Sequence, residues 1–386
     1  MSDSARAERI QRSIDGSVNV SIDVVPYDQI HEYLMRAVSE GDAPDIALID
    51  HVWVAEFASS HMIYPLDELN PEWISNLVTN DIHDSIASGY RFEGSIYAVP
   101  EEVNLAGIWY DTDALASVDS EIPQTWDALI DAASRMKESG LVEYPISMPG
   151  GEAAQETTTY CLAAILASND ASIISDGVQL DTPEGVTAMR LIRRLVVDGL
   201  LNPNVVANDW LAGPRSLVEG SAAINIGGSY ESEHIANAID APQSAVGARY
   251  TFAPFPGGPS GHPATVIGGM AHVVFRQSKD PLRAMDLVEA LMAPDALRHR
   301  AAGHWTIPPL QSAIQSSSPE SPFITETLTM LPLARTRPIV AGYQPVTRQL
   351  QRMVQSVISG SMRPAAAVER TAEFIGAMTN LPVDRG

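Results

Sequence analysis

The chain has 386 residues, enough for two or three domains, and 45% of them are hydrophobic, the proportion of an ordinary folded protein. Its 48 acidic residues against 24 basic ones leave a net charge of −24 at pH 7, which excludes a general affinity for nucleic acid and disfavours a strongly anionic ligand or an anionic membrane surface. No apolar run approaches the roughly 20 residues of a membrane span; the single cysteine, Cys161, cannot form an internal disulfide, and the lysines, Lys137 and Lys279, lack the glycine spacing of a P-loop.

Residues 1–4 are polar and acidic, with neither a basic nor an apolar region, so no signal peptide is expected. Ala7, Ile10 and Ile14 predict a helix over 5–14. Residues 18–25 alternate like a half-buried strand. Asp28 stands where it can cap a helix running to about Glu40, with Ile30, Tyr33, Leu34 and Val38 inward, and Gly41-Asp42-Ala43-Pro44 ends it. Residues 45–50 are a nearly continuous apolar run, the pattern of a strand buried on both faces of a parallel sheet. Residues 95–100 and 105–110 read as strands, Thr125 as the cap of a helix over 126–139, and Pro183 as the start of a helix ending near Gly199. Residues 221–226 predict a buried strand stopped by Gly227-Gly228, 269–275 another strand, and 281–292 a helix. The C-terminal region is helical, broken at Gly360-Ser361 and Arg363-Pro364. This alternation is an α/β rhythm. The Gly/Pro-rich stretch 254–263 is the favoured crossing point between domains.

In open α/β sheets, ligands lie beyond the carboxyl ends of strands. That rule singles out Asp50, His51 and Trp53; then Glu101, Glu102 and Asn104; then Gly228, Ser229 and Tyr230; and finally Gly268, Gly269 and Met270. The set offers Asp, Asn and Glu groups that can pair with hydroxyls and aromatic plates that can cover apolar C–H faces. Plainer readings stand beside it: Asp50 as a helix cap, Trp53 as core, His51 as a solvated loop residue, Gly228 and Gly268 as turn glycines. Trp305, Arg337 and Tyr343 are further candidates for the same site, whereas Trp109 and Trp126 read as core. Nothing points to catalysis. Glu101 and Glu102 are adjacent on an extended segment and point to opposite faces, so they cannot flank one bond. Asp111-Thr112-Asp113 reads as a turn and cap rather than a calcium loop. There is no Gly-x-Ser-x-Gly elbow, and Cys161 sits in an apolar run as a buried, inert thiol. No catalytic residue, metal site or cofactor is expected.

Several segments together carry a resemblance. They are Gly41-Asp42-Ala43-Pro44-Asp45-Ile46, Tyr64-Pro65-Leu66-Asp67-Glu68-Leu69, and Gly94-Ser95-Ile96-Tyr97-Ala98-Val99-Pro100 followed by Ile108-Trp109-Tyr110-Asp111-Thr112-Asp113-Ala114-Leu115. Ile122-Pro123-Gln124-Thr125-Trp126-Asp127-Ala128-Leu129 and Gly220-Ser221-Ala222-Ala223-Ile224-Asn225-Ile226-Gly227-Gly228-Ser229-Tyr230 complete them. In this order they resemble the extracellular solute-binding proteins of ABC importers, in the sugar-binding family that includes maltose-binding protein. The resemblance implies a periplasmic-binding-protein-like α/β fold of two lobes, 1–106 plus 258–305 and 107–257 plus 306–386, joined by several hinge crossings. It implies a neutral sugar held in a cleft that closes by hinge bending, with Asp50, Trp53, Asn104 and Tyr230 among its contacts. It also implies docking on an ABC transporter membrane permease, a periplasmic or cell-surface location, and a monomer. The family normally begins with a short strand ahead of its first helix, and here the first predicted helix starts within a few residues of Met1. Lower stability, or pairing with a partner strand, is therefore expected. Two other readings stay open: a glycoside-active enzyme on a related scaffold, which needs an acid pair across the cleft, and a sensor binding protein with the same cleft and no transporter.

Overall fold

The structure, a computed structural model, describes residues 20–82, 84–259, 262–297, 306–316 and 322–385. In chain order the sheet strands are β1 (Ile46–Asp50), β2 (Val99–Pro100), β3 (Asn104–Asp111), β4 (Ile146–Ser147), β5 (Ile224–Gly228), β6 (Tyr250–Ala253), β7 (Thr265–Gly268), β8 (Met270–Val274) and β9 (Ala334–Arg335). The principal helices are α1 (Tyr27–Glu40), α2 (Trp126–Glu138), α3 (Glu156–Ala167), α4 (Pro183–Val197), α5 (Ala212–Val218), α6 (Glu231–Ala238), α7 (Pro281–Leu291), α8 (Tyr343–Ser359) and α9 (Pro364–Thr379). The fold is mixed α/β.

The chain divides into two compact units: Met1–Val103 with Gly269–Glu320 and Ile339–Ala341, and Asn104–Gly268 with Ser321–Pro338 and Gly342–Gly386. The crossings expected after residues 106, 257 and 305 thus fall after 103, 268 and 320, so that β3 stays whole in the second unit. The 254–263 stretch is not a crossing. It turns back inside the second unit, where Phe255 bridges Ala264.

In unit 1 the sheet order is β1-β8-β2, antiparallel throughout. Strand β1 is therefore not the doubly covered parallel strand its sequence suggests: Ile46, Ala47 and Leu48 are half-buried, and only Ile49 and Asp50 are buried. The expected strand over 95–100 divides, because Ser95–Ile96 folds back on Arg91–Phe92 as a hairpin while Val99–Pro100 joins β8. The predicted helix over 5–14 lies outside the described residues. Of the strand predicted over 18–25, residues 20–25 are described and belong to no strand. Helix α1 begins after Pro26, so Asp28 sits in its first turn rather than at its cap, and Gly41 ends it at φ 77°.

Unit 2 is built on a sheet ordered β9-β7-β3-β5-β4, with β6 also paired to β3. Strand β5 starts at Ile224, later than expected, and runs through Gly227 and Gly228, because β3 keeps pairing with both glycines. Two caps form as their sequences require: Thr125 Oγ1 accepts from Ala128 N at 3.2 Å, and Thr182 Oγ1 from Gly185 N at 3.2 Å. Gly360, at φ 75°, ends α8. One apolar cluster joins the sheet residues Ile108, Ile224 and Ile226 to Leu129 of α2, Ile192 of α4, Val354 of α8 and Val368 of α9. Trp109 and Trp126 belong to the core, at 0% and 4% exposure. Among the described residues no helix is long and apolar enough to cross a membrane.

Candidate functional site

Unit 2 brings Asn104, Gly228, Tyr230 and Gly268 to one end of its sheet. The register sets Asn104 opposite Gly268 and Ala106 opposite Gly228, so the start of β3 lies beside the ends of β5 and β7. Both glycines have ordinary strand backbones. They are required for another reason: a β-carbon on Gly228 would overlap the Tyr230 ring, and one on Gly268 would overlap the Asn104 side chain and crowd Tyr160. The turn reading of these glycines is thus replaced by close approach of side chains. Tyr160 of α3 donates its hydroxyl to Asn104 Oδ1 at 2.9 Å. Its ring centroid lies 6.4 Å from that of Tyr230, which lies 6.1 Å from that of Trp210. Ser229 fastens the strand end, since its Oγ accepts from Leu105 N at 3.1 Å. Burial beside Glu231 pushes the Tyr230 phenol well above its ordinary range, and burial lowers the neighbouring His234, so this end of the sheet presents neutral rings.

Arg337 and Tyr343 do not stand at the sheet end as free polar groups. Both are buried on Glu156 at the start of α3: Arg337 Nη1 donates to its Oε1 at 2.5 Å, the Tyr343 hydroxyl donates to the same oxygen, and Thr347 Oγ1 donates to Oε2 at 2.7 Å. The Arg337 guanidinium also lies over the Tyr160 ring, 5.1 Å from its centroid. The two residues are thereby tied to the ring that holds Asn104.

In unit 1, Asp50, Met270 and Glu101 share one end of the small sheet. Asp50 pairs in register with Met270, and Glu101 N donates to Met270 O at 2.9 Å. Asp50 is indeed a cap, accepting from Val52 N at 3.2 Å, and its other oxygen accepts from the Tyr27 hydroxyl at 2.8 Å. His51 is not solvated. It is 1% exposed, packed against Tyr90, with Nδ1 3.3 Å from Asp50 Oδ1. Trp53 is 5% exposed, stacked on Tyr27 and met edge-on by His31. Glu101 is buried against His272, with Oε2 3.0 Å from Nε2, while Glu102 and Met270 are half-buried. Just before β8, Gly269 takes φ 144°, and a β-carbon there would overlap the Glu102 carbonyl oxygen, so only glycine fits. Trp305 lies outside the described residues.

Four residues at these sheet ends escape a reading based on strand termini. Tyr27 opens a helix, Tyr160 lies in an apolar helical run that reads as core, and Glu156 acts through partners 181 to 191 positions away. Trp210 is the one with a usable signal, an aromatic in the polar loop Asn208-Asp209-Trp210 just before α5. Elsewhere, Asp111 caps the next turn by accepting from Asp113 N and Ala114 N, at 3.0 and 3.2 Å. Cys161 is fully buried, and burial pushes its thiol well above the ordinary range. Among the described residues no group of three His, Cys, Asp or Glu side chains is placed to hold a metal.

Known proteins share this arrangement of strands. The GacH receptor of Streptomyces glaucescens GLA.O superposes with a TM-score of 0.84, at 21% identity, over 98% of this chain and 94% of its own. An ABC transporter solute-binding protein of Thermotoga lettingae TMO superposes with a TM-score of 0.85, at 22% identity, over 98% of this chain and 96% of its own. Among curated sequences, a binding protein of Brucella abortus (strain 2308) is 22% identical over 359 residues, covering 92% of this chain and 84% of that protein. The family profile described as bacterial extracellular solute-binding protein matches residues 15–297, well over half of the chain. With that match added to a shared fold, the chain belongs to the bacterial extracellular solute-binding protein family.

Proposed function

We propose that this protein captures a neutral mono- or oligosaccharide outside the cytoplasm and hands it unchanged to the membrane permease of an ABC importer. The observation that carries the reading is the group at the end of the unit 2 sheet, where the rings of Tyr160, Tyr230 and Trp210 stand beside the Asn104 amide. Rings of this kind cover the C–H faces of a sugar, and an amide side chain both donates to and accepts from its hydroxyls. Asp50, Glu102 and Met270 are the unit 1 residues assigned to contact, with His51 and Trp53 backing Asp50. Arg337 and Tyr343 serve through Glu156, as supports of Tyr160 rather than as direct contacts. The relatives favour a sugar: the GacH receptor was solved with acarbose, the Thermotoga lettingae protein with α-D-tagatose, and MalE3 of T. maritima with maltose. The net charge of −24 favours an uncharged ligand over a phosphorylated one.

Titration calorimetry with maltose, maltotriose and α-D-tagatose tests the reading. One-to-one binding of at least one of them, weakened in Tyr230→Ala, is the expected result. No binding across the sugars removes it. Chromatography of the sugar after incubation separates capture from turnover: full recovery is expected, and product that scales with protein favours the glycoside-active enzyme.

A further inference from the structure

The last two residues of β5 are threaded between side chains. The carboxyl of Glu231 lies so close to Gly227 that a β-carbon there would overlap it, and at the next residue the rings of Tyr230 and Tyr160 press on Gly228. The strand end that seats Tyr230 is therefore clamped by Glu231. This acid is 1% exposed, and its partner Asn225 is fully buried. Asn225 Nδ2 donates to Glu231 Oε2 at 2.7 Å, and the Gly228 backbone also bonds to the carboxyl. Asn225 Oδ1, equally buried, accepts no hydrogen bond. A carboxylate can only accept. A neutral carboxylic acid can accept from the amide and carries a donor besides, and among the described residues no cation pairs with this buried group to favour the ion.

We propose that Glu231 is a positioning residue for Tyr230: as a neutral acid paired with Asn225 it fixes the end of β5, and its ionisation loosens the aromatic platform. The role rests on the reading of Tyr230 as a sugar contact. Burial lifts the Glu231 carboxyl from 4.5 to about 8, against the opposing pull of Gly228 and Asn225. The titratable groups around it leave it alone in that range. Cys161 on α3 and Tyr230 at the start of α6 are both held neutral by burial, and Arg337 faces those two. On α6 itself, burial lowers His234, whose near charge is Glu233. Helix α5 and the turn at Gln243–Ala248, which pack on α6, bring no described charge that shifts the carboxyl.

The test compares wild type with Glu231→Gln, whose amide offers a donor and an acceptor in the same place. Near-ultraviolet circular dichroism reads the packing of Tyr230, Tyr160 and Trp210 without any sugar. Between about pH 6 and about pH 9.5 the signal should titrate in wild type and stay flat in the variant. Maltose affinity should fall on the order of tenfold over the same range in wild type only, with the variant matching the wild-type value at low pH. A wild-type dichroism that ignores pH, or a variant that titrates like wild type, overturns the proposal. Should the variant fail to fold, infrared difference spectra of the wild type decide: a protonated carboxyl band lost on alkaline titration supports it, and a carboxylate already present at neutral pH overturns it. Because neither spectrum needs a sugar, a protein that binds no maltose at any pH defeats the proposed function while the state of Glu231 is still decided.

Discussion

Each unit holds polar groups at the end of a sheet, and the means differ. In unit 1 the sheet is small and antiparallel, β1 is half-buried, and the groups are held by local contacts: Asp50 by Val52 N and Tyr27, His51 against Asp50, Glu101 against His272. In unit 2 the sheet is larger, one apolar cluster lies beneath it, and a single carboxyl, Glu156, gathers Arg337, Tyr343 and Thr347. Local contacts of this kind tie each group to the residues immediately around it. A many-partnered buried acid makes the aromatic end depend on the whole network. The difference teaches that unit 1 fixes its polar groups through separate local contacts, whereas unit 2 fixes its aromatic end through one shared buried acid.

The contrast can be broken at its strongest points first. Glu156→Ala removes the carboxyl that pairs with the buried Arg337 guanidinium, and should cost about 3–5 kcal/mol of stability in denaturant titration. Trp53→Ala in unit 1 should cost a similar amount, about 3–5 kcal/mol, because a ring 5% exposed is core whatever else it touches. The resemblance also counts Trp53 as a ligand contact: a folded Trp53→Ala protein of near wild-type stability and weakened sugar binding would favour that role over the core. Tyr230→Ala should behave otherwise. Its ring is only half-buried, so sugar affinity should fall by about 2 kcal/mol in calorimetry while the melting temperature moves little.

The last effect is a slope rather than a step. Glu231 ionises near 4.5 in the unfolded chain and at about 8 in the folded one. Across that window the folded state binds a proton that the unfolded state has released. Its stabilising contribution is full below the lower value and is lost as pH rises through the upper one. Glu231→Gln removes this slope, so melting curves of variant and wild type should separate increasingly in the variant's favour from about pH 5 to about pH 8. Parallel curves would show that the acid is not held neutral.

Local signals were sufficient where one residue decides one geometry. Thr125 and Pro183 announce helix starts, Gly360 announces a stop, and the structure places all three as read. Residues 221–226 misled because the strand's true limits are set by its partner: β3 continues past Gly227 and Gly228, and pairing carries the glycines along. For β1, an apolar run shows that a strand is stable but says nothing of whether its neighbours are parallel or how many faces are covered. The sheet-end rule found Asn104, Gly228, Tyr230 and Gly268, which the structure does bring together. It passed over Glu156 and Glu231 for one reason. Each stands in the first turn of a helix, where an acid is ordinary because the helix dipole favours it, and only the tertiary fold buries it.

Cys161 gives the comparison a clock. It is the chain's only cysteine, it is fully buried on α3 beneath β5, and its thiol is held protonated well above neutral pH. A thiol reagent can reach it only when unit 2 opens, so the labelling rate counts openings of that unit and is blind to unit 1. A ligand that grips the aromatic platform should slow this clock, whatever happens to the rest of the chain.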